Sequence, residues 1–218
     1  MIYDYNGNEI TGMRLVGKKL LGIGDSFIAE STAGAGNDLL SKIADGKNMT
    51  VYNYGVSSSS LAYDANETVP SVMSRYQSII ASVPAADYVV VLAGHNDSNP
   101  DLHGGTAISI GQDTDTVNTT FKGALNILID ALLTAYPTAG ILFLTPFQRR
   151  GTEEPYVDAM IEMCAKYSVP VFDNFRESGI YLYNTAQDQQ FDVGNLHLNA
   201  KGNERMAHKY IPILNSLA

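Results

Sequence analysis

Leu20-Leu21-Gly22-Ile23-Gly24-Asp25-Ser26-Phe27 decides how the rest of the chain reads. The apolar run from Leu20 to Ile23 predicts a buried strand. Gly24-Asp25-Ser26 predicts a tight turn that presents a hydroxyl at the end of that strand. A serine at the carboxyl end of the first strand of an α/β sheet lies where open sheets bind ligands. The plainer reading is a helix N-cap after a strand. As a nucleophile the hydroxyl needs a base to take its proton and donors to hold the oxyanion that forms.

Outward from this stretch, strand and helix patterns alternate. Strands are predicted over 19–24, 49–54, 87–93, 140–145 and 169–173. Helices are predicted over 37–44, 70–83, 116–136, 153–167 and 199–217. Tyr88-Val89-Val90-Val91-Leu92 is a continuous apolar run, as in a strand covered on both faces. Five strands alternating with helices imply a three-layer α/β/α domain with a five-stranded, mainly parallel sheet. Residues 94–115 read as a long polar, Gly-rich loop, and loops of that length in compact domains are usually functional. A second loop is expected to run through about 195. Residues 1–17 read as an N-terminal extension, with Asn6-Gly7 the turn signal of a possible short hairpin. Residues 18–218 read as one domain.

Composition narrows the function classes. The chain has 218 residues, 45% hydrophobic and 17% charged, an ordinary globular balance. Its net charge of −9 repels phosphate backbones, which argues against nucleic acid as a partner. No apolar run approaches the roughly 20 residues needed to span a bilayer. Cys164 is the only cysteine, which excludes an intramolecular disulfide and Cys-based zinc sites, and it reads as a small buried hydrophobe. Met1-Ile2-Tyr3-Asp4-Tyr5 has no signal-peptide pattern, consistent with a cytoplasmic protein or an exported one whose leader has been removed. Oligomeric state has no signature here.

The strand ends carry the chemistry. After the first come Gly24-Asp25-Ser26, and after the second Asn53-Tyr54-Gly55-Val56-Ser57. The third is followed by Gly94-His95-Asn96-Asp97, and the last helix is preceded by Asn195-Leu196-His197-Leu198-Asn199. In a parallel sheet these ends share one rim. A hydroxyl, a glycine amide, a carboxamide and an imidazole therefore converge although they are far apart in sequence.

These four segments, in this order, resemble the four blocks of the SGNH (GDSL-type) serine hydrolase superfamily, over roughly residues 18–217. The resemblance implies a flavodoxin-like SGNH hydrolase fold, no metal and no organic cofactor. It implies Ser26 as nucleophile and His197 as general base. The Ser26 amide, the Gly55 amide and the Asn96 side-chain NH2 are implied as oxyanion donors. One departure stands out: the family places an aspartate three residues before the histidine, where this chain has Gly194. Asp192, two residues earlier, is the expected orienting acid, reached by a bulge at 193–195. A Ser-His dyad oriented by a backbone carbonyl or water is the alternative.

Other candidates have quieter readings. Asp25 and Asp97 are expected to be structural. His95 is expected either to line the pocket or to sit on the surface. His103 and His208 read as loop and helix-surface residues too dispersed for a metal site. Arg149-Arg150 read as solvated or as meeting an anionic substrate group, and Ser57-Ser58-Ser59-Ser60 as turn or helix-start material. Gly22-Ile23-Gly24 lacks the third glycine of a dinucleotide fingerprint. The expected function is a serine esterase for short acyl groups, acetyl above all, on a small-molecule or carbohydrate ester. The polar 94–115 loop and the lack of a long apolar lid carry that leaning. The alternatives are a lipid or lysophospholipid esterase, or a non-catalytic carbohydrate-binding module that kept the fold.

Overall fold

A computed structural model describes residues 14–29, 33–149, 151–181, 184–193 and 197–217, without the side chains of Asp192 and Val193. The candidate hairpin in 1–17 falls mostly outside the described residues. What is described of that segment is tied to the body: Leu15 is fully buried and the Gly17 amide donates to Lys47 O.

Five strands form one parallel sheet: β1 (Lys19–Gly24), β2 (Thr50–Gly55), β3 (Tyr88–Leu92), β4 (Gly140–Leu144) and β5 (Val171–Phe172). Their order is β2-β1-β3-β4-β5, and every neighbouring pair is parallel. Successive side chains on a strand point to opposite faces. Leu21, Ile23, Val89, Val91, Ile141 and Phe143 therefore enter one core. Over that face lie α2 (Val72–Ser82), α3 (Phe121–Ala135) and α4 (Glu154–Lys166). Leu20, Tyr88, Val90, Leu92, Leu142 and Leu144 enter the other core, beneath α1 (Leu39–Ala44) and α7 (Ala200–Ser216). All five residues of β3 are buried, and each aliphatic side chain so covered stabilises the fold by roughly 1.5–3 kcal/mol. The three-layer architecture is the expected one.

Local polar groups set the helix starts. Asp38, Ser71, Thr120 and Asn199 each accept a hydrogen bond from the amide three residues on, which satisfies a donor that a helix start leaves open. Thr120 explains why α3 begins at Phe121 rather than at 116. Asp115 Oδ2 accepts from Gln112 N and Thr120 Oγ1, closing residues 112–120 into a turn. The chain beyond β5 is also more structured than a loop. It contains α5 (Asn174–Glu177), α6 (Thr185–Phe191) and an antiparallel pair, β6 (Asp192–Val193) with β7 (His197–Leu198).

Candidate active site

Ser26 opens a single turn beyond β1. Asp25 Oδ1 accepts from the Phe27 amide at 2.9 Å, and Asp25 O accepts from Ile28 N and Ala29 N. An aspartate bonding its own backbone two residues on is a standard way to hold such a turn. His197 stands in β7, two residues before the α7 cap. Ser26 Oγ lies 2.7 Å from His197 Nε2, the distance of a hydrogen bond from hydroxyl to ring nitrogen, across 171 residues of sequence. A serine so placed can pass its proton to the imidazole as it attacks a carbonyl carbon.

Behind the pair lies a buried polar link. His95 Nε2 accepts from Phe147 N–H at 2.8 Å, so the proton of its ring sits on Nδ1, which donates to Asp25 Oδ2 at 2.8 Å. Both side chains are fully buried. Burial alone pushes the Asp25 carboxyl up, but His95, the Phe27 amide and Arg149 outweigh it and hold the carboxyl below its ordinary range. Burial pushes His95 down, towards the neutral ring that the geometry requires. His95 is therefore neither pocket wall nor surface. It bridges the nucleophile turn to the loop after β4. Phe27 stacks on it at 4.2 Å between centroids and leans on the His197 ring at 5.3 Å. Arg149 is also not solvated: it is buried, with its guanidinium 5.4 Å from the Phe27 ring centroid. Arg150 lies outside the described residues.

The second wall is built from the ends of β2 and β3. Asn96 is buried, and its Nδ2 donates one hydrogen to Ser59 O at 2.9 Å, leaving the other hydrogen of the NH2 group. Asp97 accepts from Leu61 N at 2.7 Å and Ala62 N at 2.9 Å, which joins the two loops. Burial pushes its carboxyl up to about 6, the two amides pulling against it. His103 is buried in the loop rather than on its surface. Its Nε2 contacts Asn96 O at 2.9 Å and its Nδ1 contacts Asp64 Oδ2 at 2.8 Å. His208 is exposed on α7.

Gly55 is reassigned. Its N–H donates to Asn53 Oδ1 at 2.9 Å, so it is not an open donor, and Asn53 Nδ2 donates in turn to Ile28 O at 2.8 Å. Glycine is needed there for close approach: an added Cβ would lie 2.2 Å from Ala29 N and 2.5 Å from Ile28 C. The open amides are elsewhere. Neither Ser26 N–H nor Ser58 N–H has a hydrogen-bond partner among the described residues. Ser58 is exposed and holds a left-handed backbone, φ 64°, uncommon for a residue with a side chain.

Asp192 lies opposite Leu198 in the β6–β7 pair, one step from the Val193–His197 match. Its side chain lies outside the described residues. One residue at the site escaped the sequence reading altogether. Arg75, on α2, sends Nη1 to Tyr54 O at 2.6 Å and Nη2 to Gly24 O at 2.8 Å. Burial lowers this guanidinium to about 10, against partial compensation from Asp25 and Glu67. The available signal was its spacing, because Val72, Arg75 and Ile79 share one helix face and both neighbours are buried. Among the described residues no cluster of three His, Cys, Asp or Glu side chains is placed to hold a metal, and no helix is long and apolar enough to cross a membrane.

Comparison with known proteins agrees with this geometry. No curated protein sequence matches the chain. A solved structure from Lactobacillus plantarum is similar at 27% identity and TM-score 0.78, covering 92% of this chain and 98% of that one. A carbohydrate acetylesterase family member from Sinorhizobium meliloti shares the fold at 18% identity and TM-score 0.64, over 92% and 98% of the two chains. A catalytic mutant of an acetylxylan esterase from Geobacillus stearothermophilus does so at 16% identity and TM-score 0.65, over 91% and 94%. The model of the GDSL-like Lipase/Acylhydrolase family matches residues 23–205, most of the chain. With its serine and histidine meeting at the rim of a 2-1-3-4-5 parallel sheet, the chain belongs to the GDSL-like lipase/acylhydrolase family of carboxylic ester hydrolases.

Proposed function

We propose that this protein is a serine esterase that removes short acyl groups, acetyl foremost, from a carbohydrate through an acyl-enzyme. The observation that carries the proposal is the 2.7 Å contact between Ser26 Oγ and His197 Nε2. Ser26 Oγ attacks the ester carbonyl carbon while His197 Nε2 takes its proton. The tetrahedral intermediate expels the alcohol, which leaves with the proton that His197 returns. Water then attacks the acyl-enzyme, with His197 again as base, and the acid is released. Asp192 orients His197. The oxyanion is held by Ser26 N–H, by the second Asn96 Nδ2 hydrogen and, in place of Gly55, by Ser58 N–H. The backbone of Ser58 adjoins the Ser59 carbonyl that Asn96 already grips.

The carbohydrate reading rests on the polar 94–115 loop at the rim and on the names of two structural neighbours, a carbohydrate acetylesterase and an acetylxylan esterase. The test is hydrolysis of p-nitrophenyl acetate, p-nitrophenyl decanoate and acetylated xylan by the wild type and by Ser26→Ala. The wild type is expected to favour the acetyl substrates, and Ser26→Ala to be inactive on all three. Equal rates in the two proteins remove Ser26 from the reaction. A preference for decanoate replaces the acetyl reading with a lipid one.

A further inference from the structure

Arg75 is an expensive residue to keep where it is. Its guanidinium is taken from α2 into the space beneath the rim, and burial disfavours its charge. Its Nε atom is buried without a hydrogen-bond partner among the described residues. Buried charges are weak contributors to stability, because desolvation offsets most of the attraction they gain. An apolar side chain of similar length would fill the same space without that penalty. Stability alone therefore does not explain an arginine here.

What the cation touches does explain it. Nη2 donates to Gly24 O, the carbonyl that closes β1 immediately before Asp25-Ser26. Nη1 donates to Tyr54 O, at the end of β2 before the turn that carries Ser58. Nη2 also contacts Ser59 Oγ at 3.3 Å, and the carbonyl of that same Ser59 holds Asn96 Nδ2. The backbone of the nucleophile turn, the backbone of the β2 turn and the anchor of the Asn96 side chain thus meet one rigid planar group. The Ser26 amide, the Ser58 amide and the Asn96 amide hydrogens ride on these three supports. The fork geometry matters here: an ammonium on a flexible stem cannot hold two strand-end carbonyls in fixed relation as a guanidinium does.

We infer that Arg75 is a positioning residue, which sets the spacing of the oxyanion donors from behind through Gly24 O, Tyr54 O and Ser59 Oγ. The inference rests on the esterase reading above. Arg75 touches no substrate atom. Its effect falls on the transition state, because donors displaced by a fraction of an ångström still admit the ester but grip the developing oxyanion less well.

The test compares wild type, Arg75→Met, Arg75→Lys and Ser59→Ala on p-nitrophenyl acetate, with thermal melts of each. A small alkyl boronic acid, which forms a tetrahedral adduct with an activated serine, serves as inhibitor. Arg75→Met is expected to lower kcat about 10- to 100-fold, with KM within about twofold of wild type. Its inhibition constant for the boronic acid is expected to rise in parallel with the loss in kcat/KM. Arg75→Lys, which keeps the charge and loses the fork, should fall between the two, and Ser59→Ala should show a smaller loss of the same kind. A merely structural role predicts a lower melting temperature with kcat and boronic acid affinity intact at 25 °C, and that result overturns the inference. If Arg75→Met does not fold, Arg75→Lys decides the matter, and wild-type kcat in that variant overturns it. An inactive wild type removes the esterase reading and this inference together. An active wild type beside an indifferent Arg75→Met removes only the inference.

Discussion

Replacing His95 by phenylalanine isolates the buried polar link behind the nucleophile. The new ring keeps the shape and preserves a stacking partner for Phe27, so the change falls on two hydrogen bonds. Asp25 Oδ2 loses the Nδ1–H donor at 2.8 Å, and Phe147 N–H loses its acceptor at 2.8 Å. Each orphaned buried group costs about 1–3 kcal/mol, the carboxylate at the upper end. The sum is about 3–5 kcal/mol, and at roughly 2–4 °C per kcal/mol for a chain of this size the melting temperature should fall by about 10 °C at pH 7. The pH dependence carries a sign. In the wild type Asp25 is held below its ordinary range, so its contribution to stability is present above that range and is lost as pH falls through the native value. In His95→Phe, burial acts without the histidine and raises the carboxyl. The native variant then takes up a proton more readily than the unfolded chain, and its deficit relative to wild type narrows as pH falls. His95→Asn, which can still offer Asp25 an N–H, should recover about half of the loss. Circular dichroism melts between pH 4 and pH 8 measure all of this. A His95→Phe melting temperature within about 2 °C of wild type at pH 7 refutes the account of the link.

Two further substitutions test the rim. Gly55→Ala forces a Cβ against the backbone at Ala29 N and Ile28 C, where no flexible side chain can yield. It should cost at least about 2 kcal/mol in urea denaturation and lower kcat through the Ser26 turn, and a variant as stable as wild type contradicts the close-approach reading. Asp192→Ala should lower kcat on p-nitrophenyl acetate about 1,000- to 10,000-fold with little change in KM if Asp192 orients the imidazole, whereas a loss under about tenfold assigns a Ser-His dyad.

The legible parts of this molecule are those in which one residue type answers one physical need. β3 reads as a buried strand because an unbroken Tyr88–Leu92 run has nowhere else to go. Ser26 and His197 read as partners because each follows or precedes a well-marked element on the rim of a parallel sheet. The layered fold and the meeting of those two residues were therefore visible in the chain itself. Arg75, His103 and Arg149 were not, because long polar side chains are usually solvated and their burial here depends on partners that sequence does not mark. Arg75 and His103 answer backbone carbonyls, which every residue possesses, and Arg149 covers a ring brought to it by the turn after β1. Gly55 shows a subtler limit. Its lack of a side chain was noticed, but sequence does not say whether the space freed is for a substrate or for the neighbouring backbone, and Asn53 decides in favour of the backbone. The start of α3 was misplaced because the Asp115–Thr120 clasp is a side-chain contact that hydrophobic periodicity does not register.

The sheet is complete at Phe172, yet the imidazole that faces Ser26 belongs to β7, downstream of α5 and α6. Structural integrity and turnover are thereby written into different parts of the polypeptide. A protease cutting between them leaves a particle whose interior is intact and whose hydroxyl has no base. Ester hydrolysis is for that reason a stricter assay of an undamaged preparation than any spectrum of its secondary structure.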